Sequence, residues 1–391
     1  MAIVRSLGQK KIGIRVANDS QHQSLAGSSS FCASTFVVRS PLAEPAAFAD
    51  SLFENCRSDS GEWIFPTTDS TTMQLVGDRR FAGRLLGPSA DSYETLTNKA
   101  RMVELAAELE IPHPETIIVT SLREAHEAVG RVGLPIVIKP SRSRYLSANT
   151  IRSTAVAIVQ TPSAALEHLN SCNWFPGIPA LIQRYVPGTG AGVFTLFWRG
   201  RPVCWFAHRR LLERPPWGGV SVLCESVAVD PVLQELSLRL LNHVQWSGLA
   251  MIEFRVTPGG SAYLMEVNGR PWGSMQLAID CGVDFPWLLY CCAQGIPFDA
   301  PATYEQGRRL HWTLGDLDRL LIQLRGRADS GQRAGRLREI AAFVGRTFRY
   351  AHRSEVFRIS DPLPGVFEVK RWLADAIGLN RPDGRGPLAD Q

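Results

Sequence analysis

Long apolar runs are missing from this 391-residue chain. A membrane-spanning helix needs about 18 or more consecutive apolar residues, and no such run occurs. The opening MAIVRSLGQKKIGIRV lacks the long apolar core of a secretory leader. Cysteines are few and unpatterned. The eight (Cys32, Cys56, Cys172, Cys204, Cys224, Cys281, Cys291 and Cys292) form no C-x-x-C pair and no zinc-ligand spacing. They read as reduced thiols in a cytoplasmic protein, with the adjacent Cys291 and Cys292 as small core residues. No G-x-G-x-x-G follows a first strand, which leaves a dinucleotide oxidoreductase without its phosphate turn. Repeats and low-complexity tracts are also absent. The net charge is +5, and residues 301–391 hold 16 Lys or Arg against 11 Asp or Glu, the whole excess. Those basic residues are spread out rather than blocked, so they read as a solvated helical surface, not a nucleic-acid patch.

What is present is an alternation of short apolar runs with helical patterns. KIGIRVAN, STFVVRS and EWIFPTTD predict strands, and LAEPAAFADSLFENC between them predicts a helix. This βα order predicts a small parallel sheet over residues 1–95. The chain reads as starting inside the helix that such a domain places after its first strand, as a truncated domain would. LTNKARMVELAAELEIP predicts a helix capped by Thr97 or Asn98, with Met102, Val103, Leu105, Ala106 and Leu109 inward. Strand, helix and strand follow in ETIIVT, SLREAHEAVGRVGLP and IVIKPS, then TAVAIVQ and TPSAALEHLN. PALIQRYVPG leads into a hairpin, GVFTLFW-RG-RPVCWFAHRRL. Asp230 and Pro231 start a further helix. GLAMIEFRV and SAYLMEVNG close the pattern as paired strands, and beyond residue 300 the sequence reads as helical.

The last hairpin carries the chemistry. Its turn is TPGGS. If Thr257 pairs with Ala262, Phe254 meets Met265 and Glu253 meets Glu266. Two carboxylates then stand opposite each other, which destabilises a sheet unless something positive lies between them. Asn268 shares the face of Glu266, because side chains alternate along a strand. Two carboxylates and an amide are hard oxygen donors that suit magnesium, with manganese in its place as an alternative. The other possibility is a slipped register with both glutamates solvated. Lys139 ends an apolar strand and Lys99 lies early in a capped helix; alone, each reads as a surface residue. Gln183 and the Tyr185–Val186 backbone lie where a strand runs into a Pro-Gly bend.

The order of these pieces resembles the ATP-grasp superfamily: a lysine on a helix start, a lysine on a strand end, QRYVPG, MIEF and MEVNGRP. Within it, the chain is similar to the carbamoyl-phosphate-synthase-like, carboxylate–amine ligase branch over residues 1–300. The resemblance implies a mixed α/β and α+β architecture. Two α+β subdomains would clasp ATP over residues 96–300, with a lid at about 115–187. A small Rossmann-like domain would precede them at 1–95, and a helical basic region would follow at 301–391. Lys99 and Lys139 would bind ATP phosphates, and Gln183, Tyr185 and Val186 would line the adenine pocket. Glu253, Glu266 and Asn268 would hold magnesium, and Arg270 would steady the reacting group. The implied reaction joins a carboxylate to an amine, an amino acid among the candidates, through an acyl phosphate with release of ADP and phosphate. A homodimer is within the expectation; nucleic acid is not.

The sequence also departs from that pattern. The loop after Lys139, KPSRSRYLSANT over 140–149 and its flanks, lacks the glycines that let a backbone close over phosphates. Arg142 and Arg144 either supply guanidinium contacts instead or mark a site that binds nucleotide without turning it over, as a sensor or scaffold would. The acidic residue expected after the hinge is missing, and Gly190 lies near its place. His208, Arg209 and Arg210 cluster at a strand end as substrate and phosphate wall, beside Gly218-Gly219. Ser274 is a candidate substrate contact, and Trp217 and Trp272 are candidates for the acceptor pocket or for packing.

Overall fold

The computed structural model describes residues 1–19, 24–56, 61–147, 149–216, 219–326, 333–350 and 353–376. Helix α1 (Ala2–Gln9) precedes β1 (Arg15–Asn18) and β2 (Ser34–Val37), which pair in parallel, and α2 (Pro45–Asn55) follows. The strand expected at 62–69 is reduced to one parallel bridge, Ile64 to Leu85. Pro66 has no N–H for a ladder. Thr68 accepts a hydrogen bond from the Thr71 amide and caps α3 (Asp69–Leu75), so the end of that run starts a helix. Helices α4 (Ala90–Thr97) and α5 (Lys99–Glu108) then run head to tail. Asn98 between them caps α5, its side chain accepting from the Ala100 amide at 3.1 Å. Lys99 is thereby fixed as the first residue of a helix whose Met102, Val103, Leu105 and Ala106 are buried.

Next come β3 (Thr116–Val119), α6 (Leu122–Val132), β4 (Ile136–Pro140), a hairpin of β5 (Arg144–Ser147) and β6 (Thr150–Ser153), β7 (Ala157–Val159), α7 (Pro162–Ser171) and β8 (Ala180–Arg184). Four of these strands form an antiparallel sheet in the order β3-β8-β4-β7. In α6, Ala125, Ala128, Val129 and Val132 are buried at helical spacing. They pack with Ile136, Ile138 and Ile182 and with Ala165 and Leu169 of α7 in one core. Strand alternation leaves Lys139 and Gln183 on the sheet's other face.

The larger sheet has six strands in the order β13-β12-β9-β10-β11-β14. It is built from β9 (Thr189–Trp198), β10 (Arg201–Arg214), β11 (Val220–Val227), β12 (Gly248–Val256), β13 (Ala262–Asn268) and β14 (Arg309–His311). Helix α8 (Pro231–His243), capped by Asp230, packs with α5 on one face, where Leu240, Ile252, Phe254 and Leu264 are buried. Helices α9 (Met275–Asp280) and α10 (Phe285–Gln294) cover part of the other with Phe194, Phe206, Trp272 and Phe285. Each fully buried phenylalanine contributes about 1.5–3 kcal/mol. All eight cysteines are free thiols, with Cys291 buried. Beyond residue 300 the chain is not helical throughout, because β14 extends the sheet edge. Helices α11 (Thr313–Gly326), α12 (Arg333–Arg349) and α13 (Leu363–Ala376) follow. A buried ion pair, Arg5 Nε to Asp361 Oδ2 at 2.9 Å, ties this region to α1.

The register of the last hairpin differs from the simple count. Val256, not Thr257, pairs with Ala262, and Phe254 faces Leu264. Continued unbroken, that register would set Glu253 against Met265. A β-bulge between Glu253 and Phe254 takes up one residue of β13, and Glu253 faces Glu266 after all.

Gly188, at φ +145°, leads into β9, and a Cβ there would lie 2.2 Å from the Val256 carbonyl oxygen. Gly188→Ala is expected to destabilise the fold by about 1–3 kcal/mol, since both conformation and space exclude a side chain. Denaturant unfolding of the two proteins measures it, and a difference near zero would refute the assigned backbone.

Candidate active site

The floor of the site is one face of the larger sheet. Gly190 and Gly192 on β9 are flanked by His208 and Arg210 on β10 and by Glu253 on β12, with Glu266 and Asn268 beyond on β13. Arg210 reaches across β9 to Glu253, Nη2 to Oε2 at 2.9 Å, and its Nη1 lies 3.0 Å from Glu213 Oε1. A Cβ on Gly190 would come within 4.0 Å of Arg210 Nη2. Gly190 stands where an acid was expected, with the Arg210 guanidinium beside it.

Asn268 Nδ2 donates to Glu253 Oε1 at 3.3 Å and to Glu266 Oε1 at 3.5 Å, so the three oxygen-bearing side chains converge. Lys99 Nζ stands 3.3 Å from Glu266 Oε2. Lys139 is buried, and desolvation pushes its ammonium down to about 8 even though Glu266 pulls the other way. The two glutamates respond oppositely. Burial, followed by the charge of Glu266, raises Glu253 above the usual carboxylate range against the pull of Arg210. Burial would raise Glu266 too, but Lys99 and Lys139 outweigh it and hold Glu266 low.

One wall comes from the segment before residue 100. Arg270 Nε pairs with Asp69 Oδ2 at 2.9 Å, and its Nη1 donates to the Pro271 carbonyl at 3.0 Å. Asp69, Lys99, Arg142, Arg144, Glu266 and Asn268 line one cavity at the mouth of the cleft. The stretch after Lys139 is the β5–β6 hairpin, docked on the N-terminal segment through the Ile151 amide and the Leu42 carbonyl at 2.7 Å.

On the lid sheet, Gln183 is buried. Its Nε2 donates to Thr116 Oγ1 at 2.9 Å, while its Oε1 is buried without a partner. The Tyr185 amide donates to the Pro135 carbonyl at 3.2 Å, so what this residue offers an adenine edge is its carbonyl. His208 is buried, stacked on Phe194 at 4.5 Å, with Nε2 2.7 Å from Ser274 Oγ. Desolvation, reinforced by Arg210, pushes its ring down to about 3, so the imidazole is neutral at pH 7.

Arg209 does not join His208 and Arg210. Successive strand residues face opposite ways, and Arg209 pairs with Glu225 at 2.6 Å on the far face. Trp272 packs against Phe194 and Phe285 at 4.7 and 5.0 Å and is a core residue. Trp217 and Gly218 lie outside the described residues. Asp69, Glu94 and Ser143, which hold Arg270, Arg142 and Lys99 respectively, escaped the sequence reading. Each is an ordinary helix or loop residue until folding brings it to a distant partner.

A cleft of this build, between a four-stranded sheet and a six-stranded sheet carrying the E-x-N strand, has the ATP-grasp fold. Residues 178–314 match the family described as ATP-grasp in the biosynthetic pathway with Ter operon. The chain is 30% identical over 232 residues to the carbamoyl phosphate synthase large chain of Clostridium acetobutylicum, covering 57% of this chain and 21% of that one. It spans about a fifth of the length of the curated relatives it matches. Among solved structures, N5-carboxyaminoimidazole ribonucleotide synthetase from Thermus thermophilus aligns with TM-score 0.58 and 18% identity over 76% of each chain. Biotin carboxylase from Campylobacter jejuni in complex with β,γ-ATP aligns with TM-score 0.59 and 12% identity over 79% of this chain and 71% of that one.

The buried His208 sets a pH dependence. Its folded value of about 3 lies below the unfolded value of about 6.5. The unfolded chain therefore binds the extra proton first as pH falls, and this residue's contribution to stability is present above about pH 6.5 and lost progressively toward pH 3. Urea unfolding over that range should show a shallower acid-side loss for His208→Gln than for the parent protein. Parallel curves would refute the neutral, buried assignment.

Proposed function

We propose that the chain is an ATP-dependent ligase that joins a carboxylate to an amine through an acyl phosphate and releases ADP and phosphate. The observation that carries this reading is the convergence of Glu253, Glu266 and Asn268 under Lys99 and Lys139. Among the described residues no group of three His, Cys, Asp or Glu side chains forms a self-sufficient metal cage. Two carboxylates and an amide are what magnesium takes when phosphate oxygens and water complete its shell. The fit is therefore good, and these three residues would hold it. A cation bound there neutralises charge on the phosphate oxygens.

The remaining roles belong to this chain's own side chains. The unpartnered Gln183 Oε1 offers an acceptor to the amino group of an adenine, beside Val186. Lys99 and Lys139 bring positive charge to the phosphates, and Lys139 is desolvated, which strengthens the attraction. Arg270, held by Asp69, would steady the acyl phosphate as the amine displaces phosphate from it; the ion pair that fixes its guanidinium supports this role. The neutral His208 and Ser274 present a hydrogen-bonding pair to the substrate, and Arg210, paired with both Glu253 and Glu213, braces the inner end. Arg209 has no part in it. The names of the aligned relatives, a carbamoyl phosphate synthase and a biotin carboxylase in a β,γ-ATP complex, support an ATP-dependent reaction. The glycine-free hairpin supports a second reading, a nucleotide-binding protein without turnover.

ADP release with ATP and magnesium, measured against carboxylates and amines singly and in pairs, separates the two. Release that needs one particular pair is the expected result; ATP binding with no release under any pair would establish the second reading. Glu266→Gln should lower turnover by about 10²–10³-fold with an unchanged circular dichroism spectrum, and full activity in that variant would refute the metal assignment.

A further inference from the structure

Two arginines follow the lid lysine, and the structure gives them different work. Arg144 donates to Ser153 Oγ at 2.6 Å, a staple within the β5–β6 hairpin. Arg142 turns the other way. Its guanidinium grips Glu94 of α4 with both terminal nitrogens, Nη1 to Oε2 at 2.7 Å and Nη2 to Oε1. The backbone around it is anchored. The Lys99 amide donates to the Ser141 carbonyl at 2.8 Å, Lys99 Nζ to Ser143 Oγ at 2.8 Å, and Thr154 Oγ1 to the Arg142 carbonyl at 2.9 Å. Arg142 therefore sits beside the lysine at the start of α5. It lines the same cavity as Glu266 and Asn268, and its side chain keeps 39% of its exposure.

A forked guanidinium makes the same paired contact with a carboxylate as with a phosphate. We infer that Arg142 is a nucleotide-phosphate ligand that stands in for the missing glycine-loop amides, and that Glu94 is the internal anion occupying it until a phosphate displaces the carboxylate. Glu94 is provided for when released: Asn98 Nδ2 donates to its Oε1 at 3.1 Å and Arg101 Nε lies 4.0 Å away. No glycine is needed in such a loop, because a side chain rather than the backbone makes the approach. The inference rests on the nucleotide-binding reading of the cleft.

The two residues should act with opposite sign. By calorimetric titration with Mg-ATP, Arg142→Ala should weaken binding about tenfold or more, with AMP affinity unchanged. Glu94→Gln should tighten Mg-ATP several-fold, and the double variant should behave as Arg142→Ala. Mg-ATP affinity within twofold of the parent in Arg142→Ala would overturn the inference. So would weakening in Glu94→Gln equal to that in Arg142→Ala, since the pair would then be a scaffold for the hairpin. If Arg142→Ala does not fold, Arg142→Lys, which keeps the charge and loses the fork, should still weaken Mg-ATP, and parental affinity there would be equally fatal. Lys139→Ala separates the levels: weakened ATP binding there with none in the Arg142 variants removes this inference alone, whereas a parent protein that binds no ATP removes both.

Discussion

Two carboxylates placed face to face on neighbouring strands govern this molecule. Glu253 and Glu266 oppose each other across β12 and β13, an arrangement that costs a sheet stability. Everything around them reduces that cost. Lys99 is set at the first residue of α5 by the Asn98 cap, Lys139 is carried in from the lid, and Arg210 crosses a glycine strand to reach Glu253. The charges are unevenly shared, with the lysines on Glu266 and the arginine on Glu253. Local repulsion is thereby turned into a polarised site, and three separate parts of the chain are committed to one point.

Much of the fold was legible because it follows period and punctuation. Asn98 and Asp230 as caps, the Ser121-led lid helix and the strand–turn–strand around TPGGS are local patterns, and local geometry settles them. The opposition of Glu253 and Glu266 was also reached, but through a register one residue out that a bulge then restored. Nothing in the residues of that turn announces the bulge. The strand drawn through EWIFPTTD failed where a proline and a helix cap overrode its apolar character.

The site was legible in its ligand-like residues and opaque in their supports. Glutamates and an asparagine on a strand, and lysines at element ends, are unusual where they stand. Asp69 and Glu94 are unremarkable residues of exposed-looking helices, and their partners lie 201 and 48 positions away along the chain, at Arg270 and Arg142. No window of sequence contains both members of either pair. Arg209 shows the opposite failure: three basic residues in a row suggested one cluster, although alternation along β10 was already sufficient to divide them.

The salt bridge between Asp69 and Arg270 has a bearing on modularity. A boundary drawn at residue 95 looks natural, since the cleft begins with α5. Yet the arginine nearest the proposed chemistry is oriented from the segment before that boundary, and Glu94 lies on the same side of it. The cleft is therefore not a cassette that can be lifted out whole. Shuffling it onto another leading segment would carry the strand of Glu266 and Asn268 and lose the partner that orients Arg270, so these two segments are bound to change together.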